Sequence, residues 1–241
     1  MTTESPDDTG GERLAKRVAA LARCSRTEAE RYIEGGYVLV DGQVIDEPAF
    51  RVRHEAVALA PDATLLPQPP VTLVVHKPAG MPFEEVALSA DTRWVGDPMR
   101  LAPLRRHFRN LHCAAPIPPR GSGLVVFTQD NRIARRLEED AAFIEQECIV
   151  DVRGDLSPGG LALLNHGLVL RGRALPPAKV SWQSENRLRF ALKGIAPAQV
   201  PGMCHAVGLE LLALRRIRLG RVPMAALPPG QWRYLQPQER F

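Results

Sequence analysis

Between Leu65 and Pro70 the chain reads Leu-Leu-Pro-Gln-Pro-Pro. Proline has no backbone N–H and a fixed φ, so this run cannot sit inside a helix or a central strand. It splits the folding problem in two. A module of some fifty residues precedes it, and a segment long enough for a large domain follows it. We therefore expect a tail over residues 1–11, a first domain over 12–64, a linker over 65–70 and a second domain over 71–241.

The first segment carries dense local signals. Met1 to Gly11 is polar and acidic, which predicts a disordered tail, and it lacks the basic start and apolar run of a signal peptide. Leu14, Val18 and Leu21 recur at helical spacing. Ser25 followed by Glu28 is a capping box that opens a second helix, and Gly35-Gly36 ends it near Glu34. Tyr37–Val40 predicts a strand, Asp41-Gly42 a hairpin turn, and Val44-Ile45 the returning strand. Ala56–Ala60 closes the module.

The second segment predicts strands over Val71–Val75, Leu124–Thr128, Phe143–Val152, Lys179–Trp182, Arg187–Leu192 and Leu211–Ile217. His76 to Gly80 reads as a turn. Asp130 caps a helix to about Glu139. Ser157-Pro158 starts a short helix, and Gly202–Val207 gives another. Met81 to Pro119 shows few elements. Short connections favour an α+β fold with a large mixed, mostly antiparallel sheet.

Composition narrows the function classes. The net charge is +4 and aromatics are only 5%. A polyanionic partner is compatible with that charge, whereas extended base stacking is not. Arginines cluster at Arg100, Arg105, Arg106, Arg109 and Arg120 without an intervening acid. A second cluster holds Arg215, Arg216, Arg218, Arg221, Arg233 and Arg240. Cys24, Cys113, Cys148 and Cys204 form no Cys-x-x-Cys pair, so they predict buried free thiols. Cys113 and Cys148 could serve as nucleophiles near His112 or His76, but structural packing is the better reading. His107 and His112 lie five apart, which is wrong for a metal pair on one helix face. No apolar run reaches ~18 residues. We expect a cytoplasmic monomer without metal, cofactor or membrane span.

The residues Arg13-Leu14-Ala15-Lys16, Cys24 to Glu30, Ile33, Gly36, Val38 and Val40-Asp41-Gly42 resemble the S-four domain, a small RNA-binding module first named from a ribosomal small-subunit protein. The helix start at Ser25 offers backbone N–H groups to phosphate. Arg13, Lys16, Arg17, Arg23 and Arg26 add positive charge to that face.

The rest resembles the RsuA/RluF-type pseudouridine synthases, which join an S-four domain to a catalytic domain. His76 to Gly80 is similar to their Lys-Pro-x-Gly turn, Ser122 to Asp130 to the strand after their catalytic loop, and Glu145 to Val150 to their Glu-Lys-x-Tyr-x-Val strand. Leu214 to Gly220 with Leu227 to Arg233 is similar to their C-terminal signature. The resemblance implies structured RNA, ribosomal RNA in particular, as partner. It implies RNA contacts at Lys77, Arg105, Arg106, Arg120, Arg215 and Arg216.

The catalytic residues do not carry over. The family loop Gly-Arg-Leu-Asp-x-x-Thr-Ser-Gly-Leu, anchored on Ser122-Gly123-Leu124, puts its aspartate on Pro118 and its arginine on Pro116. The stacking tyrosine falls on Cys148 and a nearby lysine on Gln146. The Arg-Gln-Ile-Arg-Arg-Met run falls on Ala198 to Met203, so its arginines become alanine, proline and glycine. Proline can act neither as nucleophile nor as base. The sequence therefore predicts an RNA-binding member without isomerase activity. Two alternatives are an active enzyme with a relocated acid, for which Asp91 and Asp97 are candidates, and a protein-interaction scaffold.

Overall fold

The computed structural model describes residues 10–241, so most of the expected N-terminal tail lies outside the described residues. The chain divides into two units, and the division does not follow the linker alone. The first unit takes the described residues up to Pro69 and also Ala102–Arg109; the second takes Pro70–Leu101 and Asn110–Phe241.

The first unit begins with β1 (Glu12–Arg13), α1 (Leu14–Ala22) and α2 (Arg26–Glu34). The capping box forms as the sequence dictates. Ser25 Oγ accepts from the Glu28 N–H at 3.3 Å, and the Ser25 N–H donates to Glu28 Oε2 at 2.8 Å. The strands are β2 (Val38–Val40), β3 (Gln43–Val44), β4 (Arg51–Val52) and β5 (Val57–Leu59). β2 is central, between β3 and β5, and β1 pairs with β4. The Asp41-Gly42 turn has both φ angles positive, at 48° and 80°, the geometry that a two-residue hairpin requires. Leu14, Val18, Ala29, Ile33, Val38 and Val52 form its core at 0% exposure. Gly11, placed in the tail by sequence, is tethered here, because its carbonyl accepts from Arg51 Nη1 at 2.8 Å.

Ala102–Arg109 joins this unit because of specific packing. Leu104 is buried, and a Cβ built on Gly36 would lie 2.9 Å from its Cδ2. The backbone N–H of Arg105 donates to Asp46 at 2.5 Å, and its guanidinium reaches Glu47 at 2.8 Å. Arg109 pairs with Glu34 at 3.0 Å. The predicted linker is also tied down, since Gln68 Nε2 donates to the Tyr37 hydroxyl at 2.5 Å.

The second unit holds β6 (Thr72–Lys77), β7 (His112–Ala114), β8 (Ser122–Thr128), α3 (Asn131–Glu139), β9 (Gln146–Arg153) and α4 (Gly160–Asn165). There follow β10 (Val169–Leu170), β11 (Arg173–Ala174), β12 (Lys179–Ser184), β13 (Arg187–Leu192), α5 (Val200–Ala206), β14 (Glu210–Leu219), β15 (Val222–Pro223) and β16 (Trp232–Tyr234). The main sheet runs β12-β13-β9-β14-β8-β6-β16, with β15 on β14 and β7 on β8. All its strand pairs are antiparallel except β14 with β8. The α+β expectation with a mixed, mostly antiparallel sheet therefore holds.

Two boundaries differ from the sequence reading. β6 continues through His76 and Lys77, which had read as a turn, because every residue of this strand is buried. The helix expected at Ser157-Pro158 begins only at Gly160, after Gly159 at φ 73°. The segment 81–101, which looked unstructured, is anchored by side chains. Trp232 Nε1 donates to the Ser89 carbonyl at 2.8 Å, and Asp97 accepts from Arg93, Met99 and Tyr234 at 2.9, 3.0 and 3.2 Å.

Candidate functional site

β8 and β14 pair only through Arg215 with Ser122 and Arg216 with Gly123. Before Ser122 the chain leaves the sheet as the loop 115–121, so Glu210–Leu214 of β14 lacks a neighbour strand on that side. The crossing is tight. A Cβ on Gly123 would sit 2.2 Å from the Arg216 carbonyl oxygen, so only glycine fits there. The gap is a cavity of about 540 Å³ bounded by Pro118, Arg120 and Gly121 of the loop, Pro201 and His205 of α5, and Glu210–Leu212 with Leu214 of β14.

Pro118 and Pro201 thus share one cavity, although they are far apart in sequence. These are the positions onto which the sequence comparison laid the family's aspartate and one of its arginines. Pro197, Leu209, Leu211 and Leu214 extend the apolar wall. The polar side chains that line the cavity are Arg120, His205 and Glu210. Glu210 is a carboxylate that sequence reasoning missed, because it lies far along the chain and reads as an ordinary strand-end acid. It is engaged by Arg153, whose Nε and Nη2 donate to Oε2 at 3.0 and 2.5 Å. Asp91 and Asp97, the acids considered from sequence, do not line the cavity. The Asp97 side chain is only 1% exposed and is consumed by the contacts given above.

Cys148, at the stacking-tyrosine position, is fully buried in β9 and does not line this cavity. Burial pushes its thiol up to about 11, so it is not a thiolate nucleophile at neutral pH. Cys113 is pushed up to about 12 for the same reason. Cys204 is buried as expected, whereas Cys24 and Cys113 are only partly covered.

Two buried cations hold the loop, and neither offers its head to solvent. Lys77 is 0% exposed. Its ammonium donates to the carbonyls of Pro78, Met81 and Pro119 at 2.8, 2.6 and 3.0 Å. Burial pulls its pKa below the usual lysine value. Arg216 is 1% exposed and donates to Leu124 O at 2.7 Å, Gln146 Oε1 at 3.1 Å and Ala115 O at 2.5 Å. Burial lowers its pKa to about 10, so it stays protonated at neutral pH. The sequence had assigned both to RNA. Their heads are instead occupied by oxygens of the protein, because a buried charged side chain must find partners inside. Gln146 lines a second cavity of about 320 Å³ with Arg216 and Pro116.

Arg105 and Arg106, expected around the loop, belong to the first unit. Arg120 and Arg215 are exposed. On the first unit, Arg13, Arg23 and Ser25 are exposed near the helix start. Lys16 and Arg17 both reach Glu12, at 3.5 and 2.8 Å, and Arg26 pairs with Glu30 at 3.0 Å. Among the described residues no group of histidines, cysteines or acids is arranged to hold a metal ion, and no helix is long and apolar enough to cross a membrane.

Comparison with known proteins agrees with this architecture. Residues 12–57 match the S4 domain. The Ribosomal small subunit pseudouridine synthase A of Pseudomonas aeruginosa is 29% identical over 237 residues, covering 94% of this chain and 98% of that protein. The Dual-specificity RNA pseudouridine synthase RluF of Escherichia coli K12 is 24% identical over 234 residues, covering 94% and 76%. A crystal structure of a pseudouridylate synthase overlays with a TM-score of 0.55 at 20% identity, covering 93% of this chain and 96% of that one, which establishes the shared fold. With an S4 domain over residues 12–57 and a fold shared with a pseudouridylate synthase, the chain is similar along nearly its whole length to pseudouridine synthases of the RsuA/RluF type.

Proposed function

We propose that this protein binds structured RNA, ribosomal RNA in particular, through its S4 module, and that it does not isomerise uridine. It acts as a cytoplasmic, monomeric, cofactor-free RNA-binding protein. The observation that carries the reading is the shared cavity of Pro118 and Pro201. Isomerisation requires a group that attacks or deprotonates while the glycosidic bond is cut and the base is turned over. The cavity has a proline at the position of the family's aspartate, its one carboxylate, Glu210, is held by Arg153, and its lining includes no phenylalanine, tyrosine or tryptophan for a displaced base. General acid–base help alone contributes roughly 10²–10⁴-fold to such reactions.

The RNA half is tested by binding the full chain to ribosomal RNA transcripts across a salt series. The logarithm of the affinity should fall linearly with the logarithm of salt concentration. Charge reversal at Arg23 and Arg26 should weaken binding and flatten that slope by roughly one to two. Unchanged affinity in that variant would remove the S4 face from the account.

A second reading has one observation in its favour, the presence of Glu210 on the cavity wall. On that reading Glu210 is the relocated acid and RNA binding releases it from Arg153. Pseudouridine formed by the unmodified chain and lost in Glu210→Gln would establish it.

A further inference from the structure

The hairpin of β10 and β11 brings two arginines to the place where this chain has lost the family's arginine run. Val169 pairs with Ala174 and Leu170 with Arg173. Arg171 and Gly172 form the tip, at φ 52° and 75°. Such turns favour Asn, Asp or Gly at the first position, and another residue there costs roughly 1 kcal/mol. An arginine at this tip is therefore not explained by turn geometry.

Arg171 and Arg173 line a cavity of about 440 Å³ together with Ala198, Gln199 and Gly202. Those last three positions are the ones that match the family's arginine run. A Cβ built on Gly202 would stand 2.9 Å from Leu170 Cδ1, so the Leu170 side chain of the hairpin packs closely over this glycine. The glycine at the position of a family arginine thus lies directly under the Leu170 side chain of the hairpin. Charge lost from one segment is replaced from another.

Neither arginine is neutralised inside the unit. Among the described residues Arg171 and Arg173 make no ion pair, whereas Arg153, Arg187, Arg189, Arg218 and Arg233 each meet a carboxylate. Both side chains are exposed. A pair of exposed guanidinium groups over a mostly polar concavity suits phosphodiester oxygens, which accept forked N–H donors. We infer that Arg171 and Arg173 form a second RNA-backbone site, which grips phosphates beside α5. This inference rests on the RNA-binding reading above.

The test compares the full chain with Arg171→Glu/Arg173→Glu and with Arg171→Asn/Arg173→Gln. The second pair removes charge and keeps a turn-forming residue at the tip. Filter binding to ribosomal RNA transcripts is run from 50 to 300 mM salt. Neutralising two phosphate contacts should cut affinity by about ten-fold at low salt and make the salt slope shallower by roughly 1.5, with a larger loss on charge reversal. If the unmodified chain binds RNA and both variants match it in affinity and slope, the hairpin site is wrong and the S4 reading stands. If the unmodified chain does not bind RNA, that reading fails and this site fails with it. Poly-glutamate that competes charge for charge as well as RNA would also overturn the site as an RNA site.

Discussion

Glu210 and Arg153 stand opposite each other at the ends of β14 and β9, with the carboxylate of one taking both hydrogen bonds from the guanidinium of the other. The pair puts the cavity's carboxylate under the control of a strand partner rather than leaving it poised at the space beside Pro118. Both side chains are more than half exposed, at 60% and 68%, so water screens the attraction and its contribution to stability is small. We predict that Glu210→Gln and Arg153→Ala each change unfolding free energy by less than about 1 kcal/mol. Neither should create or alter pseudouridine formation on ribosomal RNA. A product that appears in Arg153→Ala would show that freeing the acid suffices for chemistry.

Lys77 should behave as a structural residue. Its ammonium satisfies three carbonyls, including that of Pro119 in the loop, and it has no exposed surface. Lys77→Ala leaves those oxygens buried and is expected to cost roughly 3 kcal/mol in denaturant unfolding. RNA affinity measured below the transition should stay within two-fold, since the head does not face solvent. Loss of affinity without loss of stability would return Lys77 to the RNA surface.

His76 gives a pH signature. It is 5% exposed, and its Nδ1 lies 2.7 Å from the Leu227 carbonyl oxygen. Burial holds its pKa below the ordinary 6.5, with Arg215 pushing the same way and the Leu227 contact opposing. Below 6.5 the unfolded chain therefore takes up a proton before the folded one does. Stability is at its full value above 6.5 and declines as pH falls from 6.5 through the folded-state pKa. The slope in that window cannot exceed about 1.4 kcal/mol per pH unit for one group. His76→Asn should flatten the stability profile between pH 6.5 and 5. An unchanged profile would show that His76 does not govern it.

The thiols should be inert in the folded chain. Cys148 and Cys204 have no exposed surface, and burial pushes them up to about 11 and 12. At pH 8, Ellman's reagent should reach these two only at the rate of unfolding, with all four reacting in denaturant. Fast modification of Cys148 in the native protein would mean that the β9 surface opens.

Much of the first unit was legible because its signals are local. Ser25 with Glu28 and Asp41 with Gly42 fix caps and turns through neighbours a few residues away. Most strands of the large sheet were legible as apolar or alternating runs, whereas their order in the sheet was not. What sequence hid was long-range. Leu104 seats against Gly36 across the chain, and nothing in 102–109 marks it as part of the first unit. Lys77 and Arg216 look like surface cations until β6 is seen to be buried throughout and the Arg216 side of β14 to face the interior. Glu210 carries no motif, and only the opening between β8 and β14 makes it a cavity residue. Arg171 and Arg173 were passed over because a short hairpin leaves almost no periodic pattern.

The central claim is the absence of chemistry at Pro118, and the release of tritium from RNA carrying [5-³H]uridine tests it most directly, since isomerisation must discharge the hydrogen at C5. With the full chain in excess over ribosomal RNA transcripts, so that one turnover would register, the account predicts release equal to the protein-free control over hours. Release that approaches one equivalent per modified site, and that vanishes in Glu210→Gln, would contradict it.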